Sequence, residues 1–204
     1  MAFSDFKTIP EVQEIFKITH VQDDFVPEQG LKPSEHFLQE FGLKRQHIDV
    51  FASEGARCET LIFPILWEIY KGYTAGYSLW IRKSIAYDEI LSGTPDYFVS
   101  TRSKLGIRVV GSPLILIVEA KKNDFEQGWG QCLSELIAAQ KINDDSVSPV
   151  YGIVTDGNRW EFGRLVGDAF TQNLTDFALA DLPKLFGAIH AVFEAATETP
   201  RKYG

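Results

Sequence analysis

Three observations predict an α/β fold: a central mixed β-sheet flanked by helices in the order αβββαβ, with helical additions at both ends. An almost unbroken apolar run from Leu114 to Val118 leads into Glu119-Ala120-Lys121, as expected of a strand buried on both faces. A helical pattern over Phe125 to Ile142 then leads into a second apolar segment, Val150 to Thr155. That strand–helix–strand passage calls for a parallel crossover. Finally, Asp156-Gly157-Asn158 separates this segment from Arg159 to Val166, a hairpin signal.

The remaining elements follow in chain order. Residues 10–18 predict a short helix with Pro10 in its first turn. Pro27 and Gly30 mark a loop, and a second helix starts near Pro33-Ser34 and stops at Gly42, with Phe37, Leu38 and Phe41 as its apolar stripe. The strongest helical pattern runs from Glu54 to Tyr70, where Leu61, Ile62, Ile65, Leu66 and Ile69 recur at helical spacing. Pro64 lies inside it and removes a backbone donor, which predicts an interruption near Thr60. Leu79 to Tyr87 predicts a strand, followed by a turn at Ser92-Gly93-Thr94-Pro95. Asp96 to Thr101 is the next strand, with Tyr97 and Val99 on one face and Asp96, Phe98 and Ser100 on the other. Leu105 to Ser112 reads as an extended connection, and Leu182 to Ala196 as a C-terminal helix. Residues 1–53 are expected to form an N-terminal helical extension packed on a principal domain of residues 54–204.

Composition narrows the class of protein. With 204 residues and an apolar fraction of 45%, one domain with a sizeable core is expected. No apolar run approaches the roughly 20 residues needed to cross a bilayer. The start, Met1-Ala2-Phe3-Ser4-Asp5-Phe6, lacks the basic and apolar regions of a signal peptide. Cys58 and Cys132 both fall in predicted helices among internal residues, so no disulfide framework is expected and the protein reads as cytoplasmic. A net charge of −8 argues against a general nucleic-acid coat protein. The charge is uneven: residues 1–54 carry −5, residues 55–122 carry +3, and residues 123–204 carry −6. The one basic segment holds the candidate site.

That site begins with alternation along the third strand. Glu119 and Lys121 project from one face, and Val118, Ala120 and Lys122 from the other. Asp96, preceded by Pro95, lies 23 residues before Glu119, a spacing that lets one strand turn back and pair with the next. A carboxylate and an amine at the end of an apolar strand pack poorly but suit a metal and a water. Two converging carboxylates, Asp96 and Glu119, would ligate Mg²⁺ or Mn²⁺, with the Ala120 carbonyl as a third oxygen.

Pro95, Asp96, Glu119 and Lys121, with the order of elements around them, resemble the PD-(D/E)XK nuclease superfamily, the restriction-endonuclease-like fold. The resemblance covers roughly residues 54–166. It implies a metal-dependent nuclease acting on nucleic acid, with DNA the expected substrate, in which Lys121 contacts or activates the attacking water. It also implies an acidic residue on the preceding helix. Glu59, in Gly55-Ala56-Arg57-Cys58-Glu59, is similar in setting to the start of Holliday-junction resolvases, and Glu54 and Glu68 compete with it. Gln131, on the helix after the third strand, is expected to steer the lysine or the phosphate, ahead of Gln127. The segment Tyr151 to Phe162 is similar to the late strands of the nuclease domain in type I restriction enzyme motor subunits, although Trp160 and Phe162 alternate onto one face as core residues do. A homodimer would supply two sites for two strands, and a partner subunit could supply targeting instead. No membrane partner is expected.

Other chemistries fit less well. His20, His36, His47 and His190 are scattered without zinc-ligand spacing. There is no Gly-x-Ser-x-Gly elbow and no P-loop. A glycosidase could use two carboxylates, but the neighbouring lysine has no place in its mechanism. A nuclease-fold module without catalysis, serving in nucleic-acid binding or assembly, stands as the alternative.

Overall fold

The apolar run at Leu114 forms the middle of a long central strand. The structure, a computed structural model, describes residues 2–198; residues 199–204, at the end of the expected principal domain, lie outside it. In chain order the elements are α1 (Ile9–Phe16), β1 (Thr19–Gln22), α2 (Glu35–His47), α3 (Glu54–Arg57), α4 (Phe63–Tyr70), β2 (Tyr77–Ile81), β3 (Ile85–Ala86), β4 (Ser92–Gly93), β5 (Tyr97–Arg102), β6 (Val110–Ala120), α5 (Phe125–Ile142), β7 (Val150–Thr155), β8 (Arg159–Val166), β9 (Ala169–Gln172), β10 (Phe177–Ala178) and α6 (Leu182–Glu198).

The main sheet is mixed, in the order β1-β9-β8-β7-β6-β5-β2, with β10 added against β8; β3 and β4 form a separate small hairpin. β6 and β7 run parallel, and α5 makes the crossover that the sequence pattern requires. β5 is antiparallel to both β6 and β2. Helices cover both faces. On one, Val99, Leu116 and Val118 pack with Leu61, Ile65, Phe186 and Ile189 from the α3–α4 segment and α6. On the other, Phe98, Ile117 and Val154 pack with Trp129, Leu133 and Leu136 from α5. Trp160 and Phe162 are fully buried, as their alternation predicts.

The helix predicted over Glu54 to Tyr70 is interrupted where Pro64 requires it. Pro64 has no N–H for the Thr60 carbonyl, and the chain widens there into a single π turn over Cys58–Ile62 between α3 and α4. The Thr60 hydroxyl donates back to the Ala56 carbonyl at 2.5 Å.

Three differences from the sequence expectations have local causes. α2 runs past Gly42 to His47, because a cationic last turn of Lys44, Arg45 and His47 suits a helix C-terminus. The strand expected over Leu79 to Tyr87 begins at Tyr77 and stops at Ile81, since Arg82 takes a positive φ of 46°. The N-terminal segment is more than a helical extension: its polar β1 pairs in parallel with β9 and forms a sheet edge. α1 starts at a Thr8–Glu11 capping box. It approaches α5 at Gly130, where an added Cβ would lie 2.5 Å from the Thr8 nitrogen. No helix among the described residues is long and apolar enough to cross a membrane.

Candidate functional site

The antiparallel register of β5 and β6 pairs Tyr97 with Val118, which sets Asp96 opposite Glu119 just beyond the strand end. The two are clasped reciprocally. The Asp96 N–H donates to Glu119 Oε1 at 3.2 Å, and the Ala120 N–H donates to Asp96 Oδ2 at 2.9 Å. N–H and C=O of one strand residue face the same neighbour, so the Ala120 carbonyl lies on the Asp96 edge of β6. Lys121 continues the ladder, its N–H donating to the Thr155 carbonyl, and its Nζ lies 3.6 Å from Glu119 Oε2.

α5 supplies the roof. Its first turn is capped by the Asp124 side chain, which accepts from the Gln127 N–H. Gln131 donates from Nε2 to Glu119 Oε2 at 2.8 Å and to Glu135 Oε1 at 3.1 Å. Glu135 is fully buried, and Glu119 is 1% exposed. Gln131 Oε1 and Glu135 Oε2 are buried without a hydrogen-bond partner. Access is from the Asp96 and Lys121 side, where the side chains retain 15% and 21% exposure.

Burial pushes the Glu119 carboxyl up to about 7; the Asp96 charge adds to this, and Lys121 opposes it. Burial, and then the Glu119 charge, raise the Glu135 carboxyl as well, which favours its protonated form. The Cys58 thiol, raised by burial and then by Asp96, lies behind the site, and its carbonyl accepts from the Tyr97 hydroxyl at 3.3 Å. Cys58 and Cys132 are both buried free thiols.

Asp96, Glu119, Ala120, Lys121 and Gln131 are thus brought together. Glu59 is not with them. It is exposed and lines a groove between α2 and α4 with His36, Glu40 and Trp67. Cys58 faces Tyr97, and the next residue of the π turn points away from it, toward α2. Of the competitors, Glu68 is engaged at the surface by Ser34 and Lys71. Glu54 precedes Cys58 by one turn and contributes to the charge that the Cys58 thiol experiences.

Sequence reasoning missed two residues. Glu135 follows Gln131 by one helical turn, so a carboxylate among Cys132, Leu133, Leu136 and Ile137 was the available signal. Arg82 lies with Nε 3.6 Å from Asp96 Oδ1, and its N–H donates to the Asp96 carbonyl at 2.9 Å; nothing in the pattern marks it.

Among the described residues, no three or more His, Cys, Asp or Glu side chains are grouped to hold a metal ion. The donor set at Asp96 and Glu119 is two carboxylates with a backbone carbonyl beside them. That fits Mg²⁺, which binds through one or two carboxylates and keeps several waters. No known family model matches the chain, and no curated protein matches it.

Proposed function

We propose that the chain is a metal-dependent nuclease on a restriction-endonuclease-like core, hydrolysing phosphodiester bonds in nucleic acid, with DNA the expected substrate. The observation that carries this reading is the meeting of Asp96, Glu119 and Lys121 at one sheet end, with the amine 3.6 Å from a carboxylate that is itself clasped to the Asp96 backbone.

A bound Mg²⁺ or Mn²⁺ would neutralise phosphate charge and acidify a water. Asp96 and Glu119 would hold it, with the Ala120 carbonyl beside them. Lys121, partly open to solvent, would orient the attacking water and stabilise charge on the phosphate. Gln131 fixes the Glu119 carboxyl through its 2.8 Å hydrogen bond. The acidic residue expected on the preceding helix is better filled by Glu54 than by Glu59, because Glu54 lies on the Cys58 side. An acidic chain with one basic segment suits a nuclease that works as a homodimer or receives targeting from a partner subunit.

A second reading, a non-catalytic module of the same fold, draws on two observations: the Arg82 guanidinium beside Asp96, and the lack of a three-ligand grouping among the described residues. A divalent-metal titration by calorimetry, paired with cleavage assays on single-stranded, double-stranded and branched DNA and on RNA, separates the two. Metal binding with cleavage supports the nuclease; nucleic-acid binding without metal binding or cleavage supports the module.

A further inference from the structure

The sheet row that carries Glu119 carries a second buried carboxylate. Glu119 pairs with Val154 on β7, and Val154 pairs with Glu161 on β8. Glu119 and Glu161 therefore share a face, two strand spacings or about 10 Å apart. Gly128 of α5 sits directly on Val154 between them. On the Glu161 side of that contact, a pocket of about 370 Å³ opens between α5 and α1. Phe125 and Trp129 line one wall and Ile9 the other, while Glu161, Gln172 and His20 line the sheet side.

The polar groups in this pocket are incompletely used. Glu161 Oε2 accepts from Trp129 Nε1 at 2.6 Å and from Gln172 Nε2 at 3.3 Å, and Oε1 accepts from Arg159 Nη2 at 2.7 Å. A carboxylate oxygen can take two donors, so Oε1 retains capacity for another. His20 stacks on Phe170 at 5.5 Å, and its Nε2 is buried without a partner. A buried polar atom left unpaired is costly, and no contact described above uses it. Apolar and aromatic walls with a few convergent polar groups are the pattern of a small-ring ligand site. The Arg159 guanidinium lies over the Phe125 ring at 5.0 Å, adding positive charge beside the pocket.

We infer that this pocket takes a nucleobase bearing an exocyclic amine. The amine donates to Glu161, the ring packs against Phe125 and Trp129, and a ring heteroatom pairs with His20. Cytosine and adenine carry such an amine and thymine does not. The inference rests on the nuclease reading in one respect: it takes the base from a nucleotide chain whose neighbouring phosphate reaches Asp96 and Lys121.

The test is calorimetric titration of the full chain, in EDTA to prevent cleavage, with short oligodeoxycytidine, oligodeoxyadenosine, oligothymidine and free cytidine. His20→Phe preserves the stack and removes Nε2; Ile9→Trp fills the pocket; thermal melts check that both variants fold. The wild type should bind the cytosine and adenine oligomers about tenfold more tightly than the thymine oligomer. Both variants should erase that preference, and Lys122→Ala, at an exposed residue outside the pocket and the site, should retain it. Binding of free cytidine that Ile9→Trp abolishes would identify the free nucleoside as a source; binding of oligomers alone would identify the chain. Equal affinity for cytosine and thymine oligomers, or a preference that survives both variants, overturns the inference. A wild type that prefers cytosine through this pocket but cleaves nothing keeps the inference and removes the nuclease reading; one that cleaves without base preference does the reverse.

Discussion

Replacing Glu119 by glutamine should remove a pH dependence built into the metal-free protein. The folded-state carboxyl titrates at about 7, against an ordinary 4.5. A raised folded value means that the stability this group contributes is fully present below pH 4.5 and is lost as the pH climbs to about 7. Each pH unit in that window costs the folded state about 1.4 kcal/mol, or about 3 kcal/mol in all. Glu119→Gln keeps the shape and cannot ionise. The Gln131 amide can turn to accommodate it, because its own oxygen is unpaired and can accept from the new amide. Urea unfolding of wild type and variant in EDTA, from pH 4.5 to 8, measures the difference. Wild-type stability should fall by about 3 kcal/mol more than that of the variant across this range, and Mg²⁺ should restore the wild type most at pH 8. Parallel pH profiles would show that Glu119 ionises freely in the fold, refuting the buried-carboxyl argument.

Three further predictions follow from the same geometry. Arg82→Ala removes the guanidinium beside Asp96 and should raise divalent-metal affinity by up to about fivefold, read by calorimetry; lower affinity would make Arg82 a support of the site rather than a competitor. Glu59→Ala should change cleavage rates by less than about twofold, since Glu59 is exposed in the α2–α4 groove; a large loss in a kinetic assay would return it to the site. Gly187→Ala in α6 would set a Cβ 1.6 Å from the Gln29 carbonyl oxygen and should cost about 3 kcal/mol, measured by thermal melting; an unchanged melt would mean that the Gln29 loop yields freely.

The elements legible in the sequence are those whose own side chains decide them. α5, β7 and β8 begin and end where the apolar runs and the Asp156-Gly157-Asn158 turn put them. Pro64 announced its own interruption. β1 and β9 gave no such signal: Thr19 to Gln22 is polar and short, and it becomes a strand only because Ala169 to Gln172 offers it an edge. In the site, the pairing of Asp96 with Glu119 followed from strand alternation and spacing. The expectation for Glu59 rests on the setting of Gly55 to Glu59 alone, and with the Cys58 side chain against Tyr97 the next residue turns away from the site. Arg82 reaches Asp96 through a positive φ at a strand end, a backbone choice that side-chain periodicity does not encode.

In the proposed reaction Lys121 serves chemistry beside Asp96 and Glu119, the two carboxylates that would hold the metal. The most direct test of this role compares Mg²⁺-dependent cleavage by wild type, Lys121→Ala and Lys122→Ala on one DNA substrate, with all three shown to melt alike. Lys121 lies 3.6 Å from Glu119, whereas Lys122 is exposed in the bend that follows β6. Lys121→Ala should lose about 10²–10⁴ in rate, and Lys122→Ala should cleave at a near wild-type rate. Equal rates for wild type and Lys121→Ala, or a wild type inert on DNA and RNA with both Mg²⁺ and Mn²⁺, would contradict this role.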